Sequence, residues 1–220
     1  MAVQSHGFTW EKDILRSVYG ATETELESIG YTAAKDFPGS FNKLDPGVDL
    51  SIKTTKAPGV VRMADALRVF ESCGSGQTFH LVVVTYRQSS PTTKTLTSII
   101  EVDLTNSRET LFGSVTSEDI RELKKLIEAV PKSRRKTAEE SKAIKEFNFK
   151  IKNKTGAIIL NPKIDSKSQR RLQCSFNKFL EFLAENPDRI VARSLDGAFR
   201  TGQIQETIVS SPRVLKEKVP

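Results

Sequence analysis

Cysteine and histidine are scarce in this chain: Cys73, Cys174, His6 and His80 are the only examples in 220 residues. Two widely separated cysteines cannot build a structural zinc site and match no redox motif, so both are read as reduced core residues in apolar helical stretches. Long apolar runs are missing too. No stretch approaches the roughly 18 apolar residues of a membrane-spanning helix, and the N-terminus lacks the apolar region of a signal peptide. An intracellular, cytoplasmic protein without a membrane partner is therefore expected. No Gly-rich phosphate loop and no Gly-x-Ser-x-Gly elbow occurs, which leaves no sign of a nucleotide cofactor or of a hydrolase serine. Internal repeats and low-complexity segments are absent.

What is present is basic charge. Lys plus Arg number 34 against 27 Asp plus Glu, for a net charge of +7 and a sequence pI near 9.4. Such an excess favours polyanionic partners and says little about fold. With 37% hydrophobic and 28% charged residues, the length suits one domain, with room for a small appendage.

Periodicity predicts an α/β fold. Thr9 is placed to cap a helix over Trp10–Tyr19, with Trp10, Ile14, Leu15 and Val18 as its apolar stripe and Gly20 as its stop. A short helix over 23–29 and a loop-rich stretch over 31–47 precede a strand at Val48–Thr55. Met63, Leu67 and Phe70 have helical spacing within 61–72. The run Thr78–Tyr86 contains Val82, Val83 and Val84 and reads as a strand covered on both faces; it would hold His80 as a satisfied sheet residue. A second β-rich segment follows at 95–104. Thr116 with Asp119 opens a helix to Ala129, and a second runs over 138–150. After a short strand at 157–160, Ser166 is placed to cap a long helix to Ala184, with Leu172, Phe176, Phe179, Leu180 and Leu183 buried. A strand at 190–193 and an extended tail with few core anchors end the chain.

The densest chemistry lies in Asp45-Pro46-Gly47-Val48-Asp49-Leu50-Ser51-Ile52-Lys53. Alternate residues of a strand share a face, so Asp49, Ser51 and Lys53 lie on one side and Val48, Leu50 and Ile52 on the other. A carboxylate and an ammonium two pleats apart can hold a divalent ion and steady an oxyanion beside it. Hard oxygen ligands suit Mg²⁺, which takes one or two carboxylates and keeps several waters. Glu11, on the first helix, is the candidate second carboxylate. An Asp-x-x-x-Lys spacing also occurs by chance on solvated strand faces.

The order strand with acid and lysine, helix, buried strand resembles the catalytic centre of the PD-(D/E)xK nuclease superfamily, which includes many type II restriction endonucleases. Within that resemblance, Asp49 corresponds to the first acid, Lys53 to the motif lysine and Glu11 to the glutamate of the first helix. Ser51 stands where the family has its second acid, and the gap between the half-motifs is short, which puts the metal number and the role of Ser51 in question. Asp36 or Asp45 is an alternative first acid. Leu111–Thr116 and Asn161–Lys167 are similar to segments of restriction-type proteins carried by large algal DNA viruses.

The resemblance implies a restriction-endonuclease-like mixed central sheet flanked by helices and Mg²⁺-dependent hydrolysis of double-stranded DNA. A homodimer is expected, since cutting both strands needs two sites. Residues 1–110 would form the catalytic core, and 111–220 would complete the same domain and contact DNA. On the helix from Ser166, Arg170, Gln173 and Asn177 fall at i, i+3 and i+7, side-chain types that contact base edges. Lys163, Lys167 and Gln169 surround its start, and Arg134 and Arg135 lie in a basic loop suited to phosphate. The competing expectation is a nucleic-acid-binding protein that keeps the fold without cutting.

Overall fold

The structure is a computed structural model, and it describes residues 5–29, 37–56, 59–164 and 169–209. Helices α1 (Ser5–Ser17) and α2 (Glu23–Ser28) lead to strand β1 (Asp49–Thr55). Strand β2 (Val61–Asp65) runs into helix α3 (Ala66–Ser72), followed by the long strands β3 (Phe79–Gln88) and β4 (Thr93–Asp103). Helices α4 (Arg108–Phe112), α5 (Ser117–Glu128) and α6 (Ala138–Lys152) come next, then strands β5 (Ile158–Ile164) and β6 (Arg170–Phe176) and helix α7 (Phe179–Glu185). The last strands are β7 (Ile190–Ser194), β8 (Ala198–Phe199), β9 (Gly202–Gln203) and β10 (Thr207–Val209). The fold is α/β, with a mixed central sheet flanked by helices, as the sequence pattern predicts.

Two compact units result, and they do not follow chain order. One takes Met1–Pro58, His80–Asp103 and Asp188–Pro220; the other takes Gly59–Phe79 and Leu104–Pro187.

The first unit holds the central sheet in the order β1-β3-β4-β10, with β7 also pairing β4. Strands β3 and β4 are antiparallel, with Val82 opposite Glu101 and His80 opposite Asp103. Eight consecutive residues of β3, Phe79 to Tyr86, are buried, as the continuous apolar run requires of a strand covered on both faces. Helix α1 lays Trp10, Ile14 and Leu15, with Val18 in the turn after its end, into one core with Leu50, Ile52, Val82 and Val84. The Trp10 ring meets Tyr86 at 5.6 Å between centroids, and its Nε1 donates to the Gln205 carbonyl at 2.8 Å. Each such side chain contributes roughly 1.5–3 kcal/mol through burial. Thr9 is not a cap, because α1 starts at Ser5. The tail, expected to have few anchors, supplies Phe199, Ile204 and Ile208 to this core.

The second unit is a three-stranded antiparallel sheet, β2-β6-β5, with helices packed against it. Two sequence expectations fail here. The helix expected over 61–72 begins only at Ala66: Asp65 caps it, accepting from the amides of Leu67 (3.1 Å) and Arg68 (3.3 Å), and the preceding residues pair with β6. The long helix expected from Ser166 to Ala184 is instead strand β6 followed by the short α7. Leu172 and Phe176 are four apart, a spacing that puts both on one face of a strand as well as of a helix; Cys174, also buried, reveals period two. The thiol of Cys73 is pushed up to about 12 by burial, against the opposing pull of Arg108, so it stays protonated. The Thr116/Asp119 capping box that opens α5 is formed as predicted.

Candidate active site

The turn at Pro46-Gly47 delivers the chain into β1, and Gly47 takes φ +87, a conformation glycine adopts without strain. Asn42 organises this approach: its Nδ2 donates to the Val48 carbonyl at 3.1 Å and its Oδ1 accepts from the Asp45 amide at 2.9 Å. Leu50 and Ile52 point into the core under α1, so the pleat turns Asp49, Ser51 and Lys53 to the other face.

That face is not a solvated one. Asp49 is 2% exposed and Ser51 8%. Asp49 Oδ1 accepts from the Gly39 amide at 2.8 Å, a charge-assisted bond that offsets part of the cost of burying a carboxylate. A Cβ on Gly39 would stand 2.4 Å from the Gly47 carbonyl carbon, so glycine is what lets the two loop strands close around this acid. Lys53, at the less buried end of β1, sends its Nζ to the Ile52 carbonyl at 3.1 Å. Glu11 is half-buried on α1. It is carried by α1, the helix that packs Trp10 and Ile14 into one core with Leu50 and Ile52. Asp45, the alternative first acid, is ion-paired with Arg200. Asp36, the other alternative, lies outside the described residues.

A donor set of one buried carboxylate with a nearby hydroxyl suits a hard, largely hydrated ion such as Mg²⁺. Among the described residues no three His, Cys, Asp or Glu side chains are grouped as a metal centre would require. Asp49 would offer one carboxylate to such an ion.

A second constellation in the same unit was not anticipated. Glu101 is fully buried on β4, where its Oε1 sits 2.8 Å from His80 Nδ1. Arg200 reaches in from the turn between β8 and β9, pairing with Asp45 and placing Nη1 3.5 Å from Glu101 Oε2. Arg200 is held at φ +53, one of two non-glycine residues at positive φ among those described. The Tyr19 hydroxyl and Glu101 Oε2 are both buried without a well-formed hydrogen bond. Burial first, and then the adjacent Glu101, push the Tyr19 phenol far above its usual range. His80 is thus a paired sheet residue, as expected, and Glu101 was legible as a lone acid inside Ile99-Ile100-Glu101-Val102. For Arg200 and Tyr19 the sequence holds no such signal.

The residues selected for DNA contact divide. Arg170 is no base reader: its Nε donates to the Val130 carbonyl (2.9 Å), Nη1 to Gln169 (2.8 Å), and Nη2 to Pro131 (2.8 Å) and Arg134 (2.9 Å). It clamps the loop after α5 from strand β6. Arg134 is tied to Glu140 in a two-pronged pair at 2.8 and 2.6 Å, and Arg135 is exposed beside it. Arg134 first, then the Thr137 amide, hold the Glu140 carboxyl down to about 2. Gln169 precedes β6, Gln173 is on it, and Asn177 lies just past it with its amide on the Ala157 carbonyl at 3.1 Å, so the three share no helix face. Lys163 is exposed on β5, and Lys167 lies outside the described residues.

No helix among the described residues is long and apolar enough to cross a membrane. Comparison with family models, curated proteins and solved structures returned no match.

Proposed function

We propose that this protein is a Mg²⁺-dependent endonuclease acting on double-stranded DNA, of the restriction type, and that it works as a homodimer. The observation that carries the reading is Asp49: a carboxylate 2% exposed, held by the Gly39 amide, at the mouth of a central-sheet strand and in phase with Lys53. A carboxylate buried this deeply costs a fold free energy unless it is hydrogen-bonded, and the fold keeps this one at the start of a strand that also carries Ser51 and Lys53. A bound Mg²⁺ would supply positive charge to the scissile phosphate and lower the pKa of an attacking water. Asp49 orients that ion, Lys53 places an ammonium where negative charge develops on phosphate oxygens, and Ser51 offers a hydroxyl between them on the same face. Glu11, carried by α1, assists directly or through water.

The test is a gel. Purified protein is incubated with unmethylated phage DNA in Mg²⁺ and in EDTA. Discrete fragments with Mg²⁺ alone support a sequence-specific endonuclease, and a smear supports a nuclease without strong sequence choice. Cleavage that survives both Asp49→Ala and Lys53→Ala sinks the site assignment. Intact DNA with a retained gel shift favours the second reading, a nucleic-acid-binding protein that does not cut. The basic excess of the chain and the polar open face of the three-stranded sheet favour that alternative.

A further inference from the structure

The second unit's sheet has one buried face and one open face. On β6, Leu172, Cys174 and Phe176 are buried, while Arg171, Gln173 and Ser175 alternate outward. The register extends that outward face to both neighbours: Arg171 is opposite Lys163, Gln173 opposite Asn161, and Ser175 opposite Arg62. Arg62, Lys163 and Arg171 are exposed, and none has an ion-pair or hydrogen-bond partner among the described residues.

We infer that this open face is a docking surface for double-stranded DNA, with Arg62, Lys163 and Arg171 on phosphates and Asn161 and Gln173 turned to base edges. Three observations carry it. Like charges directly across a strand pair repel, so the unpartnered Lys163/Arg171 pair is an unfavourable juxtaposition that an anion relieves. The acid at the border is already committed: Asp65, opposite Gln173, caps α3 and pairs with Lys124 at 3.1 Å, so it does not cancel the positive face. Between the cations stand two amides and a hydroxyl, the groups that read bases; the apolar Ile159, opposite Ser175 in the same row, is half-buried, where a membrane-binding face would carry exposed apolar anchors. The Asn161 amide is already steered, its Nδ2 donating to Ser175 Oγ at 2.8 Å. β-Sheet readers use strands in a groove in this way. Arg62 and Arg171 are separated along the sheet by the four-residue step from Ser175 to Arg171, about 13 Å, comparable with the ~12 Å major groove.

The inference rests on the DNA-binding part of the proposed function and not on its catalytic part. It is tested in EDTA, so that a failure to cut cannot be mistaken for a failure of the face. The full chain is titrated against a fluorescent 30-base-pair duplex at several salt concentrations and read by anisotropy. Arg62→Ala/Lys163→Ala/Arg171→Ala is expected to bind about tenfold more weakly or worse and to lower the salt slope by about 2 to 3, one unit per lost phosphate contact. Lys12→Ala/Lys125→Ala/Lys145→Ala removes as many exposed charges elsewhere and is expected to change both values less. Circular dichroism and the urea midpoint should match the wild type for both. Unchanged affinity and slope in the first variant overturn the inference. So does a loss confined to the second, tighter binding to single-stranded RNA of equal length, or binding to vesicles of anionic lipid without binding to the duplex.

Discussion

The two sheets of this protein handle charge in opposite ways. In the first unit β3 is buried over eight successive residues, and two carboxylates of that sheet are taken out of water: Glu101 at 0% exposure and Asp49 at 2%. In the second unit β6 alternates, and its charges either stay in solvent or, like Arg170, bind backbone carbonyls. A carboxylate in the covered sheet must be met by a fixed partner from a distant part of the chain, since burying an unpaired charge costs several kcal/mol. A charge on the half-covered sheet needs none. The covered sheet therefore concentrates side chains whose partners are specified, and the open one presents side chains that are free to meet a ligand.

The largest effect should come from breaking the covered network. Arg200→Met leaves Glu101 and Asp45 without their cation and is expected to destabilise the fold by about 3–5 kcal/mol, read from urea unfolding. Adding Glu101→Leu to that variant should recover part of the loss. A wild-type midpoint for Arg200→Met would show that the pairing is worth nothing. On the same sheet, Asp49→Asn is expected to slow Mg²⁺-dependent DNA cleavage by about 100-fold or more while the duplex still binds in EDTA. Glu11→Gln should cost less, because Glu11 is only half-buried and off the strand that carries Asp49, Ser51 and Lys53. Equal losses from the two would contradict that ranking.

The half-covered sheet should respond more gently. Arg170→Ala removes four hydrogen bonds to carbonyls of the loop after α5 and of Gln169, and about 2 kcal/mol is expected from charge-assisted bonds of this kind. Hydrogen exchange should rise in residues 130–134 and leave α3 unchanged. The smallest effect concerns Glu140. Its folded-state carboxyl is depressed from 4.5 to about 2, so its contribution is complete above the unfolded value and is lost as pH falls from about 4.5 towards 2. Unfolding midpoints of wild type and Glu140→Gln should differ slightly at pH 7 and converge as pH falls towards 2.

Much of this architecture was legible before any coordinates. The apolar run of β3, the Trp10 stripe of α1, the Thr116/Asp119 cap and the in-phase Asp49, Ser51 and Lys53 all follow from local periodicity, which a continuous or strictly alternating pattern expresses without ambiguity. Leu172 and Phe176 misled because i and i+4 coincide on both helix and strand, and Phe179, Leu180 and Leu183 then continued the helical spacing into a true helix. The 61–72 stretch misled for the same reason, with Asp65 read as one more helical residue where it is the cap. Composition assigns Arg134 and Arg170 to DNA contact because it reveals charge but not whether a carboxylate or carbonyl stands within 3 Å.

By itself the sequence determined the α/β class, the buried central strand, the basic excess and the face that carries Asp49 and Lys53. These are properties of residues a few positions apart, whose geometry the backbone dictates. Only the tertiary structure decided that Asp45 and Glu101 share Arg200, that Arg170 is a clamp, and that Arg62, Lys163 and Arg171 form one open face. Each of those joins side chains far apart in the chain, and the partner of a charge is set by strand register and packing.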